Sequence, residues 1–314
     1  MHLVRYLEHF PQVFKDGVMT IGNFDGVHLG HQKVIQRVVK LAKDNQVPSL
    51  LMCFEPTPKE FFMADQAPAR ITTWRERYQK IEALGIDVLI QIPFNQSFAN
   101  LDPYNFVKDI LCDTLAIRHL IIGDDFHFGK DRKGNFQLLA AAGKELGFVV
   151  EDTKTLKRAT KRVSSTAIRE ALVDGNFELV EEFLGSAYRM SGKVIHGQKL
   201  GRTLGFPTLN IKVNRQVSPL HGVYAVKVHG LDNGQDGSSD ISPAIASIGT
   251  RPVVDGEEWL LEVYVIDQNG DYYGQRVDIE FCYFIRPERN FPNLELLQVQ
   301  MQSDLQEAKD YFDL

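Results

Sequence analysis

Apolar residues recur along the chain with two rhythms, and the rhythm changes once. Through about residue 150, short apolar runs alternate with stretches of helical period. Runs at Val18–Gly22, Ser49–Phe54, Asp87–Ile92, Arg118–Gly123 and Phe148–Glu151 read as strands. Between them, His31–Lys43 puts Val34, Ile35, Val38, Leu41 and Ala42 on one helical face, and Asn135–Leu146 forms another helix. Thr73-Trp-Arg-Glu76 has the capping-box pattern of a helix that stops before Gly85. Asp102-Pro103 opens one more, with proline at the first helical position. Continuously apolar strands separated by helices predict a parallel sheet covered on both faces, a Rossmann-like, doubly wound α/β domain.

After Arg162 come two short helices, Thr166–Val173 and Phe177–Leu184, the second closed by Gly185. Six strands then follow without long helices between them: Arg189–Ile195, Thr208–Val213, Gly222–Val228, Ala244–Ile248, Leu260–Ile266 and Val277–Phe284. Asn233-Gly234, Asp236-Gly237, Asp255-Gly256 and Asn269-Gly270 mark turns, and Gly230–Ser242 reads as a polar loop. This spacing predicts a six-stranded antiparallel β-barrel or a sandwich. A final helix, Asn293–Phe312, carries Leu297, Met301, Leu305, Ala308 and Phe312 as its buried stripe. The change of texture sets a domain boundary near residue 186, giving domains 1–186 and 187–314. A chain of 314 residues also suits two domains at roughly 150 residues each.

Composition narrows the function. A formal net charge of −6 argues against a protein whose main partner is nucleic acid. No run approaches the ~18 apolar residues of a membrane span. The start, MHLVRYLEHFPQVF, has no signal-peptide core, so a cytoplasmic location is expected. Cys53, Cys112 and Cys282 are three, far apart and each in an apolar run; core positions and a reducing compartment are expected.

The first strand runs into Gly22-Asn-Phe-Asp-Gly-Val-His-Leu-Gly-His31. A strand, a glycine-bearing turn and a helix start aim backbone N–H groups at an anion. His28 and His31, three apart at that helix start, can face one ligand, and Gly30 lets it approach the backbone. Two such imidazoles can donate to charge that builds during phosphoryl or adenylyl transfer. Simple packing at a turn is the alternative, whereas metal ligation lacks a third donor at suitable spacing. Gly123-Asp-Asp125-Phe-His-Phe-Gly129 follows the fourth strand, with Arg132 and Lys133 close behind. Ligands bind off carboxyl strand ends in such sheets. Lys161-Arg-Val-Ser-Ser-Thr-Ala-Ile-Arg169 reads as a second anion site, with Arg162, Ser164, Ser165, Thr166 and Arg169, or, taken alone, as an ordinary Ser/Thr helix cap. Neither a P-loop nor a dinucleotide-type glycine pattern occurs.

In the second half, Gly197–Asn210 reads GQKLGRTLGFPTLN. Gly201, Arg202, Gly205 and Pro207 suit a loop around phosphates, or equally a glycine-rich hairpin. Thr208 and Asn210 point to one side of a strand and offer hard oxygens for Mg²⁺. Glu262, between Leu261 and Val263, reads as a half-buried carboxylate fit to be a general base, or as a solvent-facing strand residue.

The segment TIGNFDGVHLGH together with RVSSTAIR resembles the nucleotidyltransferases that move AMP from ATP to an acceptor phosphate. GRTLGFPTLNI, GVYAVKV, ASIGTRP, LEVYVID, GQRVDIEF and IRPERNFPNLELLQVQMQSDLQEA resemble a riboflavin kinase domain throughout. The whole chain thus resembles the prokaryotic bifunctional riboflavin kinase / FAD synthetase family. The resemblance implies phosphorylation of riboflavin to FMN, then adenylylation of FMN to FAD. ATP is the implied co-substrate, Mg²⁺ the implied cation, and riboflavin, FMN and FAD the flavin ligands. It implies a monomer or weak homo-oligomer with no nucleic-acid or membrane partner. It assigns Glu262 as base, Thr208 and Asn210 to magnesium, and His28 and His31 to the α-phosphate. Ser164, Ser165 and Arg169 would hold the β- and γ-phosphates. Gly22, Asn23, Phe24, Asp25, Gly30, Asp125, Arg132, Arg162 and Thr166 complete the nucleotide set. Arg286 and the loop 286–293 would cover the isoalloxazine. Thr57, His127, Leu209 and Tyr264 depart from the family's commoner residues. Two rivals stay in view: a monofunctional adenylyltransferase with a retired barrel, and a flavin sensor without chemistry.

Overall fold

The computed structural model describes the chain except residues 124, 154–155, 159–160, 198–204, 214, 233–240, 254–255 and 269. At 157, 251–253 and 256–258 it describes the backbone alone. Gly201 and Arg202 lie outside the described residues, as do the turn signals Asn233-Gly234 and Asp236-Gly237, and Asp255 and Asn269. Contacts divide the chain into two compact units, Met1–Pro68 with Trp74–Ser164, and Ala69–Thr73 with Ser165–Leu314.

The first unit is built on strands β1 (His2–Val4), β2 (Val18–Ile21), β3 (Ser49–Glu55), β4 (Val88–Pro93), β5 (His119–Gly123) and β6 (Val149–Thr153). All are parallel, in the order β1-β4-β3-β2-β5-β6. Alternate residues enter two separate cores. Met19, Leu50, Met52, Ile90 and Ile122 join one; Val18, Leu51, Cys53, Leu89 and Ile121 join the other. With both faces buried a strand has no polar side, which is why these strands read as unbroken apolar runs. Helices α1 (Leu29–Asp44), α2 (Pro58–Met63), α3 (Trp74–Ala83), α4 (Gln96–Ala99), α5 (Pro103–Asn105) and α6 (Phe136–Leu146) connect them. The helix expected after Asp102 makes one α turn and then runs as a π-helix over Phe106–Thr114. A two-residue hairpin pair, β7 (Lys157–Arg158) and β8 (Lys161–Arg162), ends the unit.

The chain leaves β2 toward β3 and β4, then returns to β5 on the opposite side of β2. The strand order reverses there, so a crevice opens at the carboxyl ends of β2 and β5.

The second unit begins with α7 (Ser165–Val173) and α8 (Phe177–Leu184). Strands β9 (Arg189–Ile195), β10 (Leu209–Lys212), β11 (Gly222–His229), β12 (Ile241–Val253), β13 (Gly256–Val265) and β14 (Arg276–Arg286) close into a barrel ordered β10-β13-β12-β11-β14-β9. Every neighbouring pair is antiparallel, so the barrel is chosen over the sandwich. Val194, Ile211, Ala246, Ile248, Leu261 and Val263 are fully buried, and alternate with outward positions. Helix α9 (Leu294–Phe312) packs on β11, β12 and β14. Ala308 is buried there, with Leu305 and Phe312 packed beside Ala225 and Tyr264. Leu297 and Met301 are only half-buried, and the stripe also holds a buried carboxylate, Asp304. Of the three free cysteines, only Cys53 is a core residue; Cys112 and Cys282 are partly exposed.

Candidate active sites

Chain direction at the end of β2 is set by backbone conformation. Phe24, Gly26 and Val27 have φ of 51°, 84° and 46°. A left-handed conformation is costly for a β-branched residue, and such strain concentrates at functional turns. His28 caps α1: its Nδ1 accepts from the His31 N–H at 3.2 Å. An accepting Nδ1 puts the ring proton on Nε2, which is then a donor. The two imidazoles stack at 3.6 Å with 13° between planes, and Phe24 lies 5.1 Å from the His31 ring.

Burial pushes the His28 imidazole down to about 4. Burial, helped by His28, also holds His31 well below its usual value. Near neutral pH both rings are therefore uncharged. Each still offers a donor to phosphate, without a proton to lose. His31 Nδ1 and Asn23 Oδ1 are buried without a partner. The N–H groups of Leu29 and Gly30 find no acceptor among the described residues, as at any helix start. The N–H donors gathered at this turn are what a bound polyanion would satisfy, whereas Asn23 Oδ1, an acceptor, calls for a donor.

Around this turn, Asp25 is buried and Asp125 is exposed after β5. Arg162 pairs with Asp125 at 2.5 Å. Asp25 and Asp125 both favour protonation of His28, whereas Arg162 opposes it. A Cβ at Gly30 would stand 3.1 Å from the His28 ring and 3.8 Å from the Val163 carbonyl, so Gly22-to-His31 and the stretch before Ser164 meet here. At Gly22 a Cβ would press on the Phe24 ring at 3.1 Å. Arg132 sits exposed in the short turn Lys130–Arg132. Ser165, Thr166 and Arg169 open α7 in the second unit, where Arg169 Nε donates to the Ala69 carbonyl. Thr57 forms a reciprocal capping box with Glu60 at the start of α2. His127 is exposed, its Nδ1 3.0 Å from the Asp125 carbonyl.

One feature of this crevice escaped sequence reasoning. Phe54, Phe61, Phe62, Phe94 and Phe98 form an aromatic shelf just past the ends of β3 and β4, with ring centroids 5.2–5.8 Å apart. Phe62 is 66% exposed, although large aromatics normally bury. The signal was present as phenylalanines placed directly after apolar strands.

In the barrel, Asn210 and Glu262 are direct cross-strand partners between β10 and β13. Their neighbours Leu209↔Val263 and Ile211↔Leu261 pair likewise, and Ile211, Leu261 and Val263 fill the interior. Asn210 and Glu262 therefore share the outer face, and Thr208, two residues before Asn210, leads onto it. Ser247 of β12 pairs with Glu262 from its other side. Asn210 is buried under Gly197, while Glu262 is exposed rather than half-buried. Its apolar neighbours point inward and leave it on the wall. Gly205 is left-handed at φ 85°, turning the chain into Phe206 and Pro207. A cavity of about 260 Å³ opens beside Thr208, lined also by Pro207, Leu209, Gln268, Tyr272 and Tyr273. The Tyr272 hydroxyl is buried there without a partner.

Arg286 lies outside that wall. Its Nε and Nη2 each meet an Asp304 oxygen at 2.8 Å. Its Nη1 donates to the Pro287 carbonyl, and the Phe291 ring lies 5.7 Å from its Cζ. The guanidinium expected to touch the flavin is thus occupied in tying the 287–293 loop to α9. No group of three or more metal-binding side chains occurs among the described residues.

A parallel sheet with a phosphate-type turn at its switch point, followed by a barrel with an oxygen-rich wall, defines a two-domain nucleotide-using enzyme. Models of known families agree: FAD synthetase matches residues 10–167 and riboflavin kinase residues 184–312. The chain belongs to the bifunctional riboflavin kinase/FMN adenylyltransferase family. It is 44% identical to the Haemophilus influenzae bifunctional riboflavin kinase/FMN adenylyltransferase, over 100% of both chains. It is 42% identical to that of Escherichia coli K12, over 100% of this chain and 99% of the relative. A solved structure described as a macrolide-efflux protein from Streptococcus pneumoniae superposes with a TM-score of 0.79 at 27% identity, covering 98% of this chain and 99% of that one.

Proposed function

We propose that the barrel wall phosphorylates riboflavin and that the turn after β2 adenylylates the resulting FMN, with residues 1–186 and 187–314 as the two working domains. The register carries this reading: Asn210 opposite Glu262 on one outer face, beside the Thr208 cavity. Glu262 takes the proton of riboflavin's 5′-hydroxyl, whose oxygen attacks the γ-phosphorus of ATP and releases ADP. Exposure leaves this carboxylate reachable by an incoming hydroxyl. Thr208 Oγ1 and Asn210 Oδ1 are neutral hard donors that fit Mg²⁺, which would neutralise phosphate charge there. The cavity lined by Tyr272 and Tyr273 suits the adenine base, and the Tyr272 hydroxyl offers it a hydrogen bond.

At the other site, an oxygen of FMN's phosphate attacks the α-phosphorus of a second ATP, and the bond to pyrophosphate breaks. No proton moves at the attacking atom, so the residues there position and stabilise. The Nε2–H of His28, the His31 ring and the free N–H groups of the α1 start hold the α-phosphate. Arg162 leaves Asp125 for the phosphates, and Ser164 adds a donor. The aromatic shelf takes the isoalloxazine by stacking. The proposal includes a cytoplasmic location; among the described residues no helix is long and apolar enough to cross a membrane.

His28→Ala should cut FAD formation from FMN by roughly 10²-fold or more and leave FMN formation intact. Glu262→Ala should do the reverse, by about 10²–10⁴-fold. Incubation with ATP and Mg²⁺ and either riboflavin or supplied FMN, followed by product separation, reads the two steps separately. Folded variants that each lose both activities would overturn the two-site assignment.

A further inference from the structure

Arg77 of α3 is only 1% exposed, the largest fully buried side chain among the described residues. Burying a guanidinium is costly unless its donors are used. Here Nη1 donates to the Asn23 carbonyl at 2.9 Å and Nη2 to Glu55 Oε2 at 2.9 Å. The Trp74 ring covers the group, 5.0 Å from Cζ to its centroid, and Nε has no partner. One planar fork thus bridges the turn after β2 and the carboxyl end of β3, a reach the single ammonium of lysine lacks.

The bond to Asn23 fixes a peptide plane. Outside Glu55-Pro56 no cis peptide occurs among the described residues. In a trans unit the carbonyl of residue 23 and the N–H of residue 24 point in opposite directions. Arg77 holds the carbonyl, so the Phe24 N–H faces away from the arginine. That N–H finds no acceptor among the described residues. Phe24 itself sits at φ 51°, a conformation that needs outside support. We infer that Arg77 is a positioning residue for adenylyl transfer, holding the 23–24 peptide so that the Phe24 N–H donates to a nucleotide phosphate. This rests on the reading of the Gly22–His31 turn as the AMP-transfer site.

The test uses the full chain with Arg77→Met, Arg77→Lys and Glu55→Gln, beside His28→Ala. FAD formation from FMN is measured under saturating ATP, and thermal unfolding of each variant by circular dichroism. Arg77→Met should lower kcat at least tenfold with KM for FMN within twofold. Arg77→Lys should recover part of the loss. Glu55→Gln keeps the bond to the carbonyl, so its kcat should stay within threefold whatever its melting point. A merely structural arginine predicts instead that activity follows the folded fraction equally in the Arg77 and Glu55 variants, and that result would overturn the inference. So would wild-type kcat in Arg77→Lys combined with kcat within threefold in folded Arg77→Met. If His28→Ala keeps full FAD formation, the site reading itself fails; if it loses activity while folded Arg77→Met does not, only the positioning role fails.

Discussion

Asp304→Asn isolates the tie between the last helix and the barrel. Asp304 is 4% exposed and Arg286 9%. Their two contacts of 2.8 Å are joined by a third, from Gln300 Nε2 to Asp304 Oδ1 at 2.9 Å. The asparagine keeps the shape and one acceptor but strands the guanidinium without a counter-charge. Breaking a buried pair this way costs about 3–5 kcal/mol, and the lower end, about 3, suits so conservative a change. With a urea slope near 2 kcal/mol/M, the barrel's midpoint should fall by about 1.5 M. The two tryptophans make the assay selective, because Trp74 lies in the first unit and Trp259 in the second. In a Trp74→Phe background, Trp259 fluorescence follows the barrel alone. Replacing both partners, Arg286→Met with Asp304→Leu, should restore most of the loss, since no charge is then left buried. The loop that Arg286 holds at Pro287 should loosen in the single variant, raising KM for riboflavin while FAD formation from FMN is unchanged. A midpoint shift below about 0.3 M would refute this account of the clamp.

Three further outcomes are expected. The His28 imidazole lies near 6.5 unfolded and about 4 folded, so the unfolded chain binds the extra proton. The His28 contribution to the stability of the first unit should be flat above pH 6.5 and fall by about 3 kcal/mol as pH drops to 4; His28→Gln should make the slope shallower in urea titrations at pH 7 and 4.5. Gly30→Ala puts a methyl 3.1 Å from the His28 ring and should slow FAD formation several-fold with FMN formation unaltered, as separate assays of the two steps would show. Phe62→Ser touches a 66% exposed ring, so melting should hold while KM for FMN rises about fivefold, from the loss of about 1 kcal/mol of stacking.

Sequence patterning carried the architecture wherever burial was uniform. SLLMCF is legible as a strand because both of its faces enter cores, and Gly185 announces the end of α8. His2–Val4 is illegible as a strand at three residues; it forms only because β4 offers an edge. The π-helical run Phe106–Thr114 has the spacing of an ordinary helix and gives no local sign. At the sites, motifs singled out His28 with His31 and Asn210 with Glu262, pairs the fold brings together, and of the two readings of Glu262 the solvent-facing one follows from the alternation of its neighbours. Arg77 with Asn23 lies 54 residues apart, and Arg286 with Asp304 18. Such pairings follow from tertiary packing, so single-sequence periodicity carries no trace of them.

The barrel's interior is filled, so the polar pair Asn210 and Glu262 is worn on the outside, and the pairing of β10 with β13 acts as a reading frame. Inserting one residue just ahead of Asn210, with Leu209 held opposite Val263, would send Asn210 into the apolar lumen and turn Ile211 outward. Length changes can accumulate in the connections without harm, but inside this four-residue strand a single insertion would silence phosphorylation and leave adenylylation running.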